Sequence, residues 1–275
     1  MPKDLAKLSI NMATVREQWN LAQCLEGFAR HGIGGLAVWR EPLQKVGVRQ
    51  GAKMIRESGL AVSGLCRSGL FPAADEAGRR AAVDECRRAV DEAAEIGAQC
   101  VVMVAGGLPA GSKDIAGARR QVWQGMAEVL DYARECDVKL AVEPLHPMYA
   151  ADRCVINTLS QALDLCDALG EGVGVAVDCY HVWWDPNLES QIGRAGKHRL
   201  YAFHVCDWLV PTRDLLLDRG MMGDGVIDIP LIRSWMEAAG YDGMAEVEIF
   251  SAENWWKRGP DEVCEVCVER YHSAV

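Results

Sequence analysis

The 275-residue chain contains no apolar run approaching the ~20 residues that a membrane-crossing helix requires. Its first residues, MPKDLAKLSINMATV, lack the basic start, apolar stretch and small-residue cleavage site of a secretory leader. Both absences make a cytoplasmic address the expectation and argue against a membrane partner. Positive charge is also scarce. A formal net charge of −10, with no dense cluster of lysine and arginine, would repel a phosphate backbone, so nucleic acid is not an expected partner. Cysteine is present but unpatterned: eleven residues, an odd number, scattered without framework spacing, read as reduced thiols rather than disulfides. Cys264 and Cys267 have CxxC spacing in an apparent helix, with no second pair or histidine cluster nearby. They read as buried helix cysteines and not as a zinc or redox site.

What remains is ordinary in bulk, half apolar and a quarter charged. Its order is more informative. Short runs rich in Val, Ile and Leu recur along the chain, each followed by a longer stretch of helical periodicity. The runs are KLSIN, GGLAVW, LAVSGLC, QCVVMVAGG, VKLAVEPLHP, VGVAVDCYH, RLYAFHVCD and MAEVEIF. Such alternation implies a parallel sheet covered by helices. Eight units in about 250 residues match a (β/α)8 TIM barrel, an α/β fold, formed here as a single domain over residues 1–275. An open doubly wound sheet is the alternative, weakened because the first strand-to-helix turn has no GxGxxG fingerprint.

Barrel enzymes carry their chemistry at the C-terminal ends of the strands. The fifth strand ends at Glu143, the sixth at Asp178, the seventh at His204 and the eighth at Glu248. Each breaks an apolar run, and an ionised carboxylate buried there without a partner would cost several kcal/mol. Any one alone reads as a capping or hydrogen-bonded core group. Together, three carboxylates and an imidazole aimed at one end form an O,O,O,N site suited to one divalent ion, Mn²⁺, Mg²⁺, Co²⁺ or Zn²⁺. Because no cysteine is needed among the ligands, an open catalytic site is favoured over a structural zinc.

The segments VEPLHP, VDCYHVWWDP, FHVCD, DRGMMGDGVID and VEIFS resemble, in order and spacing, the xylose-isomerase-like barrel superfamily. That superfamily includes sugar epimerases, hydroxypyruvate isomerases, inosose isomerases and dehydratases, and endonuclease IV. The resemblance covers nearly the whole chain and is strongest over residues 138–258. It implies a metal held by Glu143, Asp178, His204 and Glu248, with substrate contacts from His181 and Arg219. Glu246 is the rival to Glu248, being two residues earlier on the same strand face; the likeness of EVEIFS to the family's last-strand motif favours Glu248. Endonuclease IV needs further histidines after the third and fourth strands, where this chain has Cys66-Arg67 and Ala105-Gly106. A DNA-repair role is therefore not expected.

Such a site suits removal of a proton next to a carbonyl, through a metal-stabilised enediolate. By resemblance, Glu143 and Glu248 are the acid-base pair. Return of the proton to the other face gives epimerisation, to the neighbouring carbon isomerisation; expulsion of a β-group gives elimination. A sugar or keto-polyol isomerase or epimerase leads. A lyase of the same fold follows, acting on an inosose or a 3-keto-glycoside, and a non-catalytic carbohydrate-binding barrel comes third.

Further residues are read more loosely. His181 is a proton donor, a hydroxyl ligand or a surface histidine. His146, in PLHP, is a substrate candidate. Arg219 is a fork of donors for a substrate oxygen, or a loop salt bridge to Asp218 or Asp224. Asp207 either orients a histidine or contacts substrate. Trp39, Trp183, Trp184, Trp208, Trp255 and Trp256 all follow strands. So much aromatic surface suggests a substrate with a ring-bearing part, or a homo-oligomer or partner subunit seated over the mouth. With no phosphate-binding nest visible, unphosphorylated carbohydrate is the first choice.

Overall fold

The computed structural model describes residues 3–275. Eight parallel strands close into a barrel: β1 Leu8–Asn11, β2 Gly35–Trp39, β3 Ala61–Gly69, β4 Val101–Val104, β5 Leu140–Val142, β6 Val173–Asp178, β7 Leu200–Val205 and, last in the chain, Ala245–Val247. Between the last two, a two-stranded antiparallel ribbon of β8 Asp207–Trp208 and β9 Arg219–Gly220 lies over the C-terminal end, so the closing strand is β10. Round the ring the order is β1, β10, β7, β6, β5, β4, β3, β2. The expected (β/α)8 TIM barrel is what forms.

The helices between strands start where the sequence supplies caps. Asn20, Asp75, Asp114, Thr158 and Asp228 each accept a backbone N–H in the first turn of the helix they precede. Apolar residues of strands and helices then share one continuous core. Strand parity explains why that core does not swallow the polar positions. Leu140 and Val142 belong to the main core, whereas Ala141, Ala176 and Ala202 gather with Cys100 in a separate small cluster. Alternate residues of a strand share a face, so Glu143, Asp178 and His204 stand directly above these three alanines. Small side chains below leave room for polar ones above.

Every cysteine is free, and Cys264 and Cys267 are buried in the helix Pro260–Ala274, as read from the sequence. No helix among the described residues is long and apolar enough to cross a membrane.

Candidate metal centre

Glu143, Asp178, His204 and Glu248 each present one ligand atom, and those atoms all lie within 4.8 Å of one another. All four residues are buried. Glu143 and Glu248 sit one residue beyond their strands, where their backbone N–H groups donate to Met103 O and Val205 O of the neighbouring strands at 3.0 and 3.2 Å. Those bonds continue the ladder and fix each carboxylate over the barrel axis. Asp178 and His204 are register partners on β6 and β7.

Arg219 is the counter-charge. Its Nη1 donates to Asp178 Oδ2 and Glu248 Oε2, both at 3.1 Å, and its guanidinium is sandwiched between the rings of Tyr180 at 4.4 Å and Phe250 at 4.9 Å. It makes neither loop pair envisaged from the sequence: Asp218 is taken by Arg213 and Asp224 by Arg270. With His204 neutral, as a metal ligand must be, the ionised carboxylates of Glu143, Asp178 and Glu248 face a single guanidinium, and that surplus of negative charge favours a cation. The donor set, oxygen-rich with one imidazole, is also of the right kind. The residues therefore fit a divalent metal.

Burial and charge set the proton affinities. The Glu248 carboxyl is pushed up to about 8 by burial, against the opposing pull of Arg219. Asp178 is held below the usual carboxylate range: burial works against this, but Arg219 and the neighbouring histidines outweigh it. For His204, burial alone would lower the imidazole, yet Glu246 and Glu143 hold it well above its ordinary value.

Glu246 lies on the inward face beside this cluster rather than in it. Its Oε1 accepts from Asn11 Nδ2 at 2.8 Å, its Oε2 from Ser63 Oγ at 2.7 Å, and His204 Nε2 stands 3.5 Å away. Asn11 Nδ2 also donates to Glu248 Oε1 at 3.0 Å, tying the two glutamates together. Asn11 was missed in the sequence although it carries the same signal as the ligands, a polar residue closing an apolar strand.

His181 is not a surface residue. It is buried in a short helix, Cys179–Val182, capped by Asp178, whose Oδ1 accepts from Tyr180 N at 2.8 Å. Burial drives its pKa down to about 3, Arg219 adding to the effect and Asp178 opposing it. Because Arg219 can only donate, the 3.3 Å contact from its Nη2 makes His181 Nε2 the acceptor and leaves the proton on Nδ1, a buried atom with no partner.

The cavity over the cluster measures about 190 Å³ and is walled by Glu143, His181, Arg219 and Glu248 together with Trp39 and Tyr149. Trp39 is fixed by donating Nε1–H to Asn11 Oδ1 at 2.7 Å. His146 and Asp207 are not in that wall. His146 caps the turn Pro147–Tyr149 and packs its ring against Trp184 and Trp208. Asp207 accepts from the backbone N–H groups of Trp208, Gly223 and Ile227, so its carboxylate organises the loop over the mouth. Of the remaining tryptophans, Trp183 and Trp208 pack together, while Trp256 donates to Ala13 O at 2.8 Å.

The sequence model described as "Xylose isomerase-like TIM barrel" matches residues 25–265. The chain belongs to this family. It is 59% identical, with a TM-score of 0.97 over 98% of both chains, to the crystal structure of protein SMc04130 from Sinorhizobium meliloti 1021. It is 27% identical to the inosose isomerase of Bacillus velezensis over 98% of this chain and 97% of that one. The crystal structure of IOLI protein with a binding zinc atom shares the fold at a TM-score of 0.83 and 22% identity, covering 98% of this chain and all of that one. Full-length likeness to a curated isomerase places the chain among the isomerase and epimerase enzymes of the family.

Proposed function

We propose that the chain is a divalent-metal-dependent isomerase or epimerase of an unphosphorylated keto-sugar or keto-polyol, with an inosose the first substrate to test. The observation that carries this reading is the convergence of four ligand atoms within 4.8 Å. Strands β5 and β10 stand three places apart round an eight-strand ring, so Glu143 and Glu248 reach the site from nearly opposite walls. The printed name of the Bacillus velezensis relative supports the choice of substrate.

A divalent ion held by Glu143, Asp178, His204 and Glu248, manganese being the first choice, would supply positive charge beside a substrate carbonyl as the adjacent carbon loses its proton. The remaining work falls to the chain's own groups. One of the two glutamates takes the proton and the other, facing the opposite side of the substrate, can return one. Delivery to the other face of the same carbon epimerises; delivery to the neighbouring carbon isomerises. His181, neutral and with Nδ1–H unpartnered, suits a sugar hydroxyl. Arg219 keeps Asp178 and Glu248 in place.

Incubation of Mn²⁺-loaded protein in D2O with ketoses, inososes and 3-keto-glycosides tests this reading. Deuterium next to the carbonyl without loss of a group is the expected result, abolished in Glu143→Gln and Glu248→Gln. Release of water or of an aglycone would assign elimination instead, and binding without any exchange would assign a non-catalytic barrel.

A further inference from the structure

The cavity over the metal cluster is not the largest one at this end of the barrel. At about 190 Å³ it falls below the ~300–1,000 Å³ common for ligand sites. A second cavity of about 630 Å³ adjoins it, and the two share Arg16 and Trp39 in their walls. This second space lies among the segments that follow β1 and β2, hence at the same C-terminal face as the metal cluster.

Its walls are prepared for a flat apolar group. Trp19 and Trp39 supply two half-buried indoles, and Ala22, Pro42 and Val46 supply aliphatic surface. Trp19 is locked in place: its ring packs on Phe28 at 6.1 Å, and a Cβ at Gly27 would fall 2.2 Å from it, so only glycine lets the ring lie there. Trp39 is anchored by its bond to Asn11 and braced edge-on by Phe250 at 6.0 Å. Arg16 sits over both Trp39 and Trp256, at 5.9 and 5.8 Å, in the wall common to the two cavities. The charges at the rim are of both signs, Arg16 beside Glu17 at 3.7 Å, then Glu41 and Lys45, with no buried cationic cluster for a phosphate.

We propose that this second cavity receives an apolar ring substituent of the substrate, so that the enzyme takes aryl glycosides of a keto-sugar, the sugar ring over the metal cluster and the aglycone past Trp39 against Trp19. The inference rests on the proposed function, because the sugar must first be anchored at Glu143, His181, Arg219 and Glu248. The wall that the two cavities share at Arg16 and Trp39 places the substituent; the indoles select its chemistry.

Two probes that differ only in the aglycone decide the matter: methyl and p-nitrophenyl 3-keto-β-D-glucopyranoside, titrated calorimetrically into Mn²⁺-loaded protein. The p-nitrophenyl compound should bind at least about 10-fold more tightly. Val46→Trp and Ala22→Trp, two exposed positions that line the second cavity and not the one over the metal cluster, should erase that preference and leave the methyl compound unaffected. Equal affinity for both probes, or an equal loss for both in the two variants, overturns the assignment while leaving the metal-centre reading intact. If neither probe binds and no inosose exchanges deuterium, the proposed function itself has failed and this inference goes with it. A change of oligomeric state in Val46→Trp with the aryl preference preserved would assign the cavity to a second copy of the chain and likewise overturn it.

Discussion

His204 stands between two glutamates, its Nδ1 3.0 Å from Glu143 Oε1 and its Nε2 3.5 Å from Glu246 Oε1. The ring nitrogen on the cluster side is therefore Nδ1, and Nε2 points to a carboxylate that is not itself in the cluster. Glu246 is also the register partner of His204 on the neighbouring strand. Nε2 makes no hydrogen bond at that distance, so Glu246 acts on the ring through its charge; removing a carboxylate behind a ligating imidazole typically costs 10–100-fold in metal affinity.

Glu246→Gln keeps the shape and the contacts to Asn11 and Ser63 while removing the charge. Mn²⁺ affinity, read by competition with a fluorescent chelator, should fall about tenfold, with the fold unchanged by circular dichroism. Unaltered affinity would show that the imidazole needs no such support.

Metal should also stabilise the fold. Three buried carboxylates crowd one point around one guanidinium and one imidazole, and a cation that binds there only in the folded state raises the melting temperature in proportion to RT ln(1 + [L]/Kd), about 2.7 kcal/mol at 100 Kd. Adding Mn²⁺ to chelator-treated protein should shift the melting curve upward, and Asp178→Asn should abolish most of the shift. A melting temperature indifferent to Mn²⁺, Mg²⁺, Co²⁺ and Zn²⁺ alike would contradict a shared ion.

The four ligand candidates were legible because strand direction fixes which end of an apolar run faces the mouth, and a charge placed there is conspicuous. Asn11 occupies the same kind of position but, being uncharged, raised no such alarm, although it links Glu246 to Glu248. Parity alone could not separate those two glutamates, since both point inward; what separates them is height along the strand, Glu248 lying nearer its C-terminal end. His181 looked like a loop residue because the helix that buries it is four residues long, too short for periodicity to register. Asp207 and His146 misled for a related reason. His146 serves its own local turn and Asp207 the loop over the mouth, 16 and 20 residues further on, through hydrogen bonds to backbone N–H groups that no spacing rule reveals.

Arg219 couples that local architecture to the cluster. Removing one member of a buried, hydrogen-bonded ion pair leaves the others uncompensated, at a cost of about 3–5 kcal/mol. Arg219→Leu should therefore lower the unfolding free energy of metal-free protein by that order in urea titrations. Bound metal, by supplying positive charge to Asp178 and Glu248, should shrink the deficit. A loss of equal size in both forms would mean that packing between Tyr180 and Phe250, not charge, is what Arg219 contributes.

Asp218 offers a pH-dependent test of the loop that carries Arg219. Its carboxylate accepts from the backbone N–H of Arg213 at 2.9 Å and from that residue's guanidinium, closing a loop whose Leu215 O accepts from both Tyr149 and Tyr180 hydroxyls at 2.8 Å. Burial opposes ionisation, but the bonds from Arg213 outweigh it and hold the carboxyl below its usual range. A group whose folded pKa is depressed stabilises the fold above its unfolded value, about 3.9, and that contribution disappears as pH falls through the folded value. Asp218→Asn should thus be less stable than the wild type at pH 6–7, with the two urea midpoints converging as the pH drops below about 4. A gap that stays constant across that range would mean that the carboxylate's charge plays no part, and that the loop is held by its tyrosine contacts alone.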